Sequence, residues 1–219
     1  MGVNPLDIIR EYLPFLASGT LFTIGFSLGG IIFGTILGLF ICFGKRIRNK
    51  LLRAPFVCYI TFFRGTPLYV QILIIHFGLV PLIFHQSNGI LAGVIALSLN
   101  EAAYIAEVFR AGIQSIDEGQ TEAARSLGMD RFQAMRYVIL PQAVRRVLPP
   151  MGNEFISLIK DSSLIAAIAA PELTYWAQAM GAQYAIVWTP YLTISFIYLI
   201  LTLTMSYLVN RLERRMATK

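Results

Sequence analysis

Residues 13–43 read LPFLASGTLFTIGFSLGGIIFGTILGLFICF, a run without one charged side chain. A helix needs about 20 apolar residues to cross about 30 Å of hydrocarbon, so the run predicts a membrane span. Composition extends that reading to the whole chain. Of its 219 residues, 56% are hydrophobic and 14% charged, against about 45 to 50% and about 25% in soluble domains. The expected fold class is an all-α integral membrane protein. Within the run, Gly25 and Gly29, then Gly30, Gly34 and Gly38, recur every four residues, a spacing that lets a second helix approach closely.

Outward from this span, charge sets the topology. Residues 1–12 carry Asp7, Arg10 and Glu11 and have no basic n-region or small-residue cleavage site, so the segment is expected to be retained. Lys45, Arg46, Arg48, Lys50 and Arg53 follow the span directly, which places that loop in the cytoplasm and the N-terminus outside. Further spans are expected at about 54–84, 90–109, 151–170 and 186–209, with Arg211, Glu213, Arg214, Arg215 and Lys219 ending the chain inside. Of the 18 basic residues, Arg10 falls outside and Arg64 and Lys160 fall within spans, leaving fifteen on the cytoplasmic side. The net charge of +6 therefore reflects membrane orientation and not a nucleic-acid surface. The expectation is one transmembrane domain, 1–219, of five helices. Cys42 and Cys58 lack a metal-ligand partner spacing and read as packing residues, as does His76, while His85 reads as solvated. Residues 171–185, with Glu172, Tyr175 and Trp176, read as an outer interfacial helix.

Three places break the apolar pattern. In the second span, Arg64, Gly65, Thr66 and Pro67 interrupt the helix, because proline lacks an amide donor. Such a break is tolerated at membrane depth beside protein or a water-filled cavity; alternatively Arg64 snorkels or pairs with a carboxylate. In the third span, Glu107 stands three residues before Arg110 and is expected to pair with it, whereas Asn100 and Glu101 have no such neighbour. In the fourth, MGNEFISLIKDSSLIAAIAA, the residues Asn153, Glu154, Ser157, Lys160 and Asp161 share one stripe. That stripe reads either as structural ion pairs, such as Lys160 with Glu101 or Glu154, or as a substrate pathway.

Between spans three and four lies EAARSLGMDRFQAMRYVILP, residues 122–141, within a polar segment of about 117–141. Thr121 is expected to cap a first helix, Gly128 to end it in a left-handed turn, Asp130 to cap a second, and Pro141 to keep that helix from running on unkinked. No phosphate loop, H-E-x-x-H pair or G-x-S-x-G turn occurs anywhere, so the sequence signals no enzyme.

Glu122, Ala123, Ala124, Gly128, Leu140 and Pro141 resemble the EAA loop in the membrane subunits of binding-protein-dependent ABC importers, with Val138 where the family usually has isoleucine. FFRGTPLYVQ (62–71), NEAAYIAEVFRAGI (100–113) and NEFISLIKDSSL (153–164) are similar to the polar amino acid uptake branch. The resemblance implies a permease that dimerises with a second copy or a homologue in the plasma (inner) membrane. It also implies an extracytoplasmic solute-binding protein and a separate ATPase dimer, which holds the ATP and Mg, with no cofactor in this chain. The EAA segment would then be a coupling helix seated on the ATPase, driving alternating access.

A zwitterionic substrate needs an acceptor for each charge. Arg64 or the free amides near Thr66 suit a carboxylate; Asn100, Asn153 and Ser157 supply hydrogen bonds; Glu101, Glu154 and Asp161 suit ammonium or guanidinium groups. The expected substrate is a polar, cationic amino acid (arginine, lysine or histidine), then glutamine. The alternative is an ATP-independent secondary transporter or channel subunit.

Overall fold

The structure, a computed structural model, describes residues 4–217. Met1 of the segment read as retained, and Lys219 of the C-terminal basic cluster, lie outside the described residues. Helix α1, Pro5–Lys45, starts at Asn4, whose side chain accepts from the Leu6 amide at 3.1 Å. It begins eight residues ahead of the expected span and runs unbroken through Pro14, because Ile8, Tyr12 and Leu16 form a second apolar face four residues apart. That face packs on Leu173, Ala177 and Met180 of α9 (Leu173–Tyr184).

Helices α2 (Lys50–Gly65) and α3 (Leu68–Ile74) meet at an angle of 110°. A π turn over Ile75–Leu79 continues α3 into α4 (Val80–Phe84). Helix α5, Gly89–Gln114, lies along α1 as its main packing partner. The glycine face splits in two. A Cβ on Gly34 would stand 2.9 Å from Cβ and Cγ of Glu101, and one on Gly38 2.9 Å from the Ala102 carbonyl, whereas Gly25 faces open space. Phe26, Ile72, Val80, Leu97, Leu158 and Ile165 close the central core between α1, α3, α5 and the fourth expected span.

The polar segment between α5 and the fourth expected span holds α6 (Glu118–Ser126), a short α7 (Arg131–Gln133), a π turn (Ala134–Ile139) and the start of α8 (Leu140–Asp161). Pro141 therefore does not end the second helix. The π turn absorbs the missing donor, and the chain continues helically to Asp161, through Pro149 and Pro150. The fourth expected span is divided accordingly: 151–161 is the end of α8, and Ser162–Ile168 tightens into a 3₁₀ helix. Helix α10, Trp188–Ala217, completes the chain.

Among the described residues, three helices are long and apolar enough to cross a membrane (α1, α5 and α10), and a fourth if the bent α2–α4 pair is one span. Leu21, Ile36, Leu82 and Leu203 are exposed on these elements. In water each would forgo about 1.5 to 3 kcal/mol of burial, so this surface is built for lipid. The segment 171–185 is more than an interfacial helix: α9 is packed into the fold, and Glu172, fully buried, caps it through the Thr174 and Tyr175 amides, both at 2.8 Å, and accepts from Tyr198 Oη at 2.7 Å.

Candidate functional site: a polar break and a capped helical hairpin

The break between α2 and α3 follows from Thr66 and Pro67, both extended (ψ 149° and 133°). Bending a helix frees carbonyls that must find donors away from water. Gln71, only 2% exposed, supplies them: its Nε2 donates to the Phe63 carbonyl (3.0 Å), the Thr66 carbonyl (3.1 Å) and Thr66 Oγ1 (2.8 Å). Asn100 Nδ2 donates to Gln71 Oε1 at 2.9 Å and to the Phe63 carbonyl at 3.2 Å. Thr66 Oγ1 in turn donates to the Phe62 carbonyl at 2.8 Å. The amide protons of Asn100 are thus committed to holding the bend. Sequence reasoning passed over Gln71; its only signal was a lone amide four residues after Pro67 in an apolar run.

Arg64 stands exposed at the bend, its guanidinium 5.3 Å from the Tyr104 ring centroid. Glu101 is 4% exposed, and its Oε1 has no hydrogen-bond partner. It lies within electrostatic reach of Glu154 and Asp161, and Glu154 within reach of Arg64. The stripe on α8 divides. Glu154 and Asp161, seven residues apart, nearly superimpose and are half-buried with Ser157, whereas Asn153 and Lys160 stand about 100° round the helix and are exposed. Lys160 faces Tyr198 and Thr202 of α10 instead. It forms no ion pair with Glu101 or Glu154, whereas Glu107 pairs with both Lys45 and Arg110, the latter at 2.7 Å as the spacing predicts. A buried carboxylate without a partner costs several kcal/mol. Glu101, Glu154 and Asp161 lie within one another's electrostatic reach, with Arg64 acting on Glu154 and Lys160 on Asp161.

His76 is buried and lies 3.3 Å from Ser87 Oγ through Nε2, and no metal-holding group of His, Cys, Asp or Glu occurs among the described residues. Cys42 is buried and Cys58 exposed on α2.

The second feature is the cytoplasmic hairpin. The cap of α6 is Asp117, whose carboxylate accepts from the Gly119 amide at 2.7 Å; Thr121 lies inside the helix, exposed. Asp117 wins because Glu118 already has helical geometry, so the vacant donors lie upstream of Thr121. The helix ends as expected. Gly128 has φ +84°, its amide bonds the Arg125 carbonyl at 3.0 Å, and the Met129 amide bonds the Ala124 carbonyl at 3.2 Å. Asp130 and Gln133 then form a reciprocal capping box at 2.8 and 2.9 Å. Ala124 is buried against the following π turn, while Glu122 and Ala123 face solvent. Gln142 Nε2 reaches Gln120 Oε1 at 3.2 Å, tying α6 to α8, and Arg146 bonds the Ser115 carbonyl at the end of α5. Leu127 (81% exposed), Phe132 and Tyr137 present apolar surface in the most polar part of the chain.

Long apolar helices, a buried polar bend and a capped polar hairpin are the features of a multi-pass membrane transport subunit. Over residues 30–218 the chain matches the binding-protein-dependent transport system inner membrane component family, and it belongs to that family. It is 40% identical over 207 residues to the probable amino-acid ABC transporter permease protein YckA of Bacillus subtilis, covering 94% of this chain and 91% of the relative. It is 37% identical over 206 residues to the glutamine transport system permease protein GlnP of Escherichia coli K12, covering 93% and 94%. The solved structure of an amino acid ABC transporter with histidines superposes with a TM-score of 0.91 at 41% identity, covering 98% of this chain and 100% of that one. The MetNI methionine ABC transporter shares the fold, with a TM-score of 0.78 at 22% identity and coverage of 94% and 98%. The chain is therefore an inner-membrane ABC permease subunit, as the EAA resemblance implied.

Proposed function

We propose that this chain is the transmembrane subunit of an ATP-driven importer that carries a polar, cationic amino acid into the cell. The observation that carries the reading is the grouping of buried, unpartnered Glu101 with Glu154 and Asp161, and of Glu154 with Arg64 of the α2–α3 bend. Arg64 takes the substrate carboxylate, and the three carboxyls take its two positive groups. Thr66, Asn100 and Ser157 complete the proposed contacts, with Asn100 acting through its free Oδ1, and Asn153, exposed about 100° round α8, is proposed only at the edge of the site. The solved relative with histidines supports a cationic substrate, and the glutamine permease relatives support glutamine as the second candidate.

In this reading the chain forms one transmembrane domain of five spans, with the N-terminus outside and the C-terminus inside, and dimerises with a copy or a homologue. An extracytoplasmic binding protein delivers the substrate. ATP and Mg are held by a partner ATPase, onto which α6 docks through Glu122, Ala123 and the Gly128 turn, and the capped hairpin transmits its closure as a lever. The exposed Leu127, Phe132 and Tyr137 support such a docking face.

The test is uptake by proteoliposomes containing the complete transporter. Glu154→Gln with Asp161→Asn should reduce arginine uptake by about tenfold to a hundredfold, the loss of one charge-assisted contact being worth about 1.5 to 3 kcal/mol, and should spare glutamine comparatively. Preference of the unmutated transporter for glutamate would refute the cationic assignment.

A further inference from the structure

On the cytoplasmic side, a cavity of about 790 Å³ opens between the membrane helices and the α6 hairpin. Four cations line it: Lys45 and Arg46 at the end of α1, Arg53 on α2 and Arg110 on α5. Lys45 and Arg110 are both satisfied by Glu107. Arg46 and Arg53 are exposed and have no ion pair or side-chain hydrogen bond among the described residues, and Glu118 is the one carboxylate in the lining. The wall beside these cations is apolar: Val57 stands one turn beyond Arg53 on α2, Ile113 one turn beyond Arg110 on α5, and Ile139 joins them from the π turn, while Phe43, Leu51 and Leu52 lie exposed on the elements bearing the cations.

Unpaired guanidiniums beside an apolar wall, at the cytoplasmic end of helices whose outer faces are built for lipid, match one ligand chemistry. That chemistry is a phosphodiester carrying a net negative charge on acyl chains. A soluble anion would use the guanidiniums and leave the apolar wall idle. We infer that this cavity is a specific site for an anionic phospholipid headgroup, with Arg46 and Arg53 binding the phosphate. Because Glu118 and Thr121 of α6 also line it, the bound lipid bridges the membrane helices and the coupling hairpin.

The experiment is native mass spectrometry of the full-length chain in detergent micelles containing phosphatidylglycerol or phosphatidylcholine. The unmutated chain should retain one phosphatidylglycerol in preference to phosphatidylcholine. The double variant Arg46→Gln, Arg53→Gln should weaken that retention about 25-fold, at about fivefold per basic residue near an anionic surface. The control variant Arg211→Gln, Arg215→Gln, in the C-terminal cluster, should keep it. The inference fails if the Arg46, Arg53 variant retains the lipid normally, or if the control loses as much, since general surface charge would then suffice. Displacement of the lipid by excess inorganic phosphate would overturn the lipid assignment in favour of a soluble anion, and resistance to displacement supports it.

Discussion

Gln71 serves the Phe63 and Thr66 carbonyls that the bend in the second span leaves without helical partners. If it is changed to leucine, Phe63 keeps Asn100 as a donor but the Thr66 carbonyl loses its partner, and Asn100 loses an acceptor. Leaving a buried polar group unmade costs about 1 to 3 kcal/mol. Gln71→Leu should therefore lower the Tm of the purified protein in detergent, and an unchanged Tm would mean that the bend is held by other contacts. Glu101 teaches the complementary lesson. Its lack of an ionic neighbour was legible in the sequence, but its opposition to Glu154 and Asp161 required three helices to be placed. Lys160 was read on one stripe with Asp161, yet one step along a helix turns a side chain by about 100°, and it faces α10 instead.

At the scale of the element, the cytoplasmic hairpin separates local rules that worked from one that slipped. Gly128 and Asp130 act as their residue types dictate, because a left-handed turn and a capping box are decided within a few residues. Thr121 and Asp117 were both eligible caps, and the helix starts at the earlier one. Asp117→Ala should cost about 1 kcal/mol, read as a lowered Tm, while Thr121→Ala should be near neutral. The reverse order would relocate the helix start. The long helices offer a second contrast. Gly34→Leu would drive a side chain into Glu101 and should destabilise by about 1 to 3 kcal/mol or prevent accumulation of folded protein, whereas Gly25→Leu meets open space and should be tolerated. Equal tolerance at both positions would contradict the α1–α5 contact.

For the molecule as a whole, orientation rests on charge, and accessibility can test it directly. With Cys58 replaced by serine and Cys42 buried, a cysteine at Ser126 should react with a membrane-impermeant maleimide only from the cytoplasmic side, and one at Ala182 only from outside. Labelling of both from one side would overturn the proposed topology. The span count depends on the same question. Helices α2 to α4 bend by 110°, and α8 carries too many polar groups to pass as a span by composition. Both segments are crossing helices only if the protein around them shields their polar groups, which is how polar helices survive at membrane depth.

What the sequence determined by itself is what short range and solvent decide. An uncharged run demands lipid, clustered arginines choose a side, and caps and glycines punctuate helices, while the EAA pattern marks the family. What only the tertiary structure decided is which polar groups satisfy one another. Asn100 with Gln71 and Glu172 with Tyr198 are pairings between different helices, more than twenty residues apart in the chain. Inside a low-dielectric bundle a polar group takes whichever partner the packing brings within about 3 Å, and packing is a property of all the helices at once.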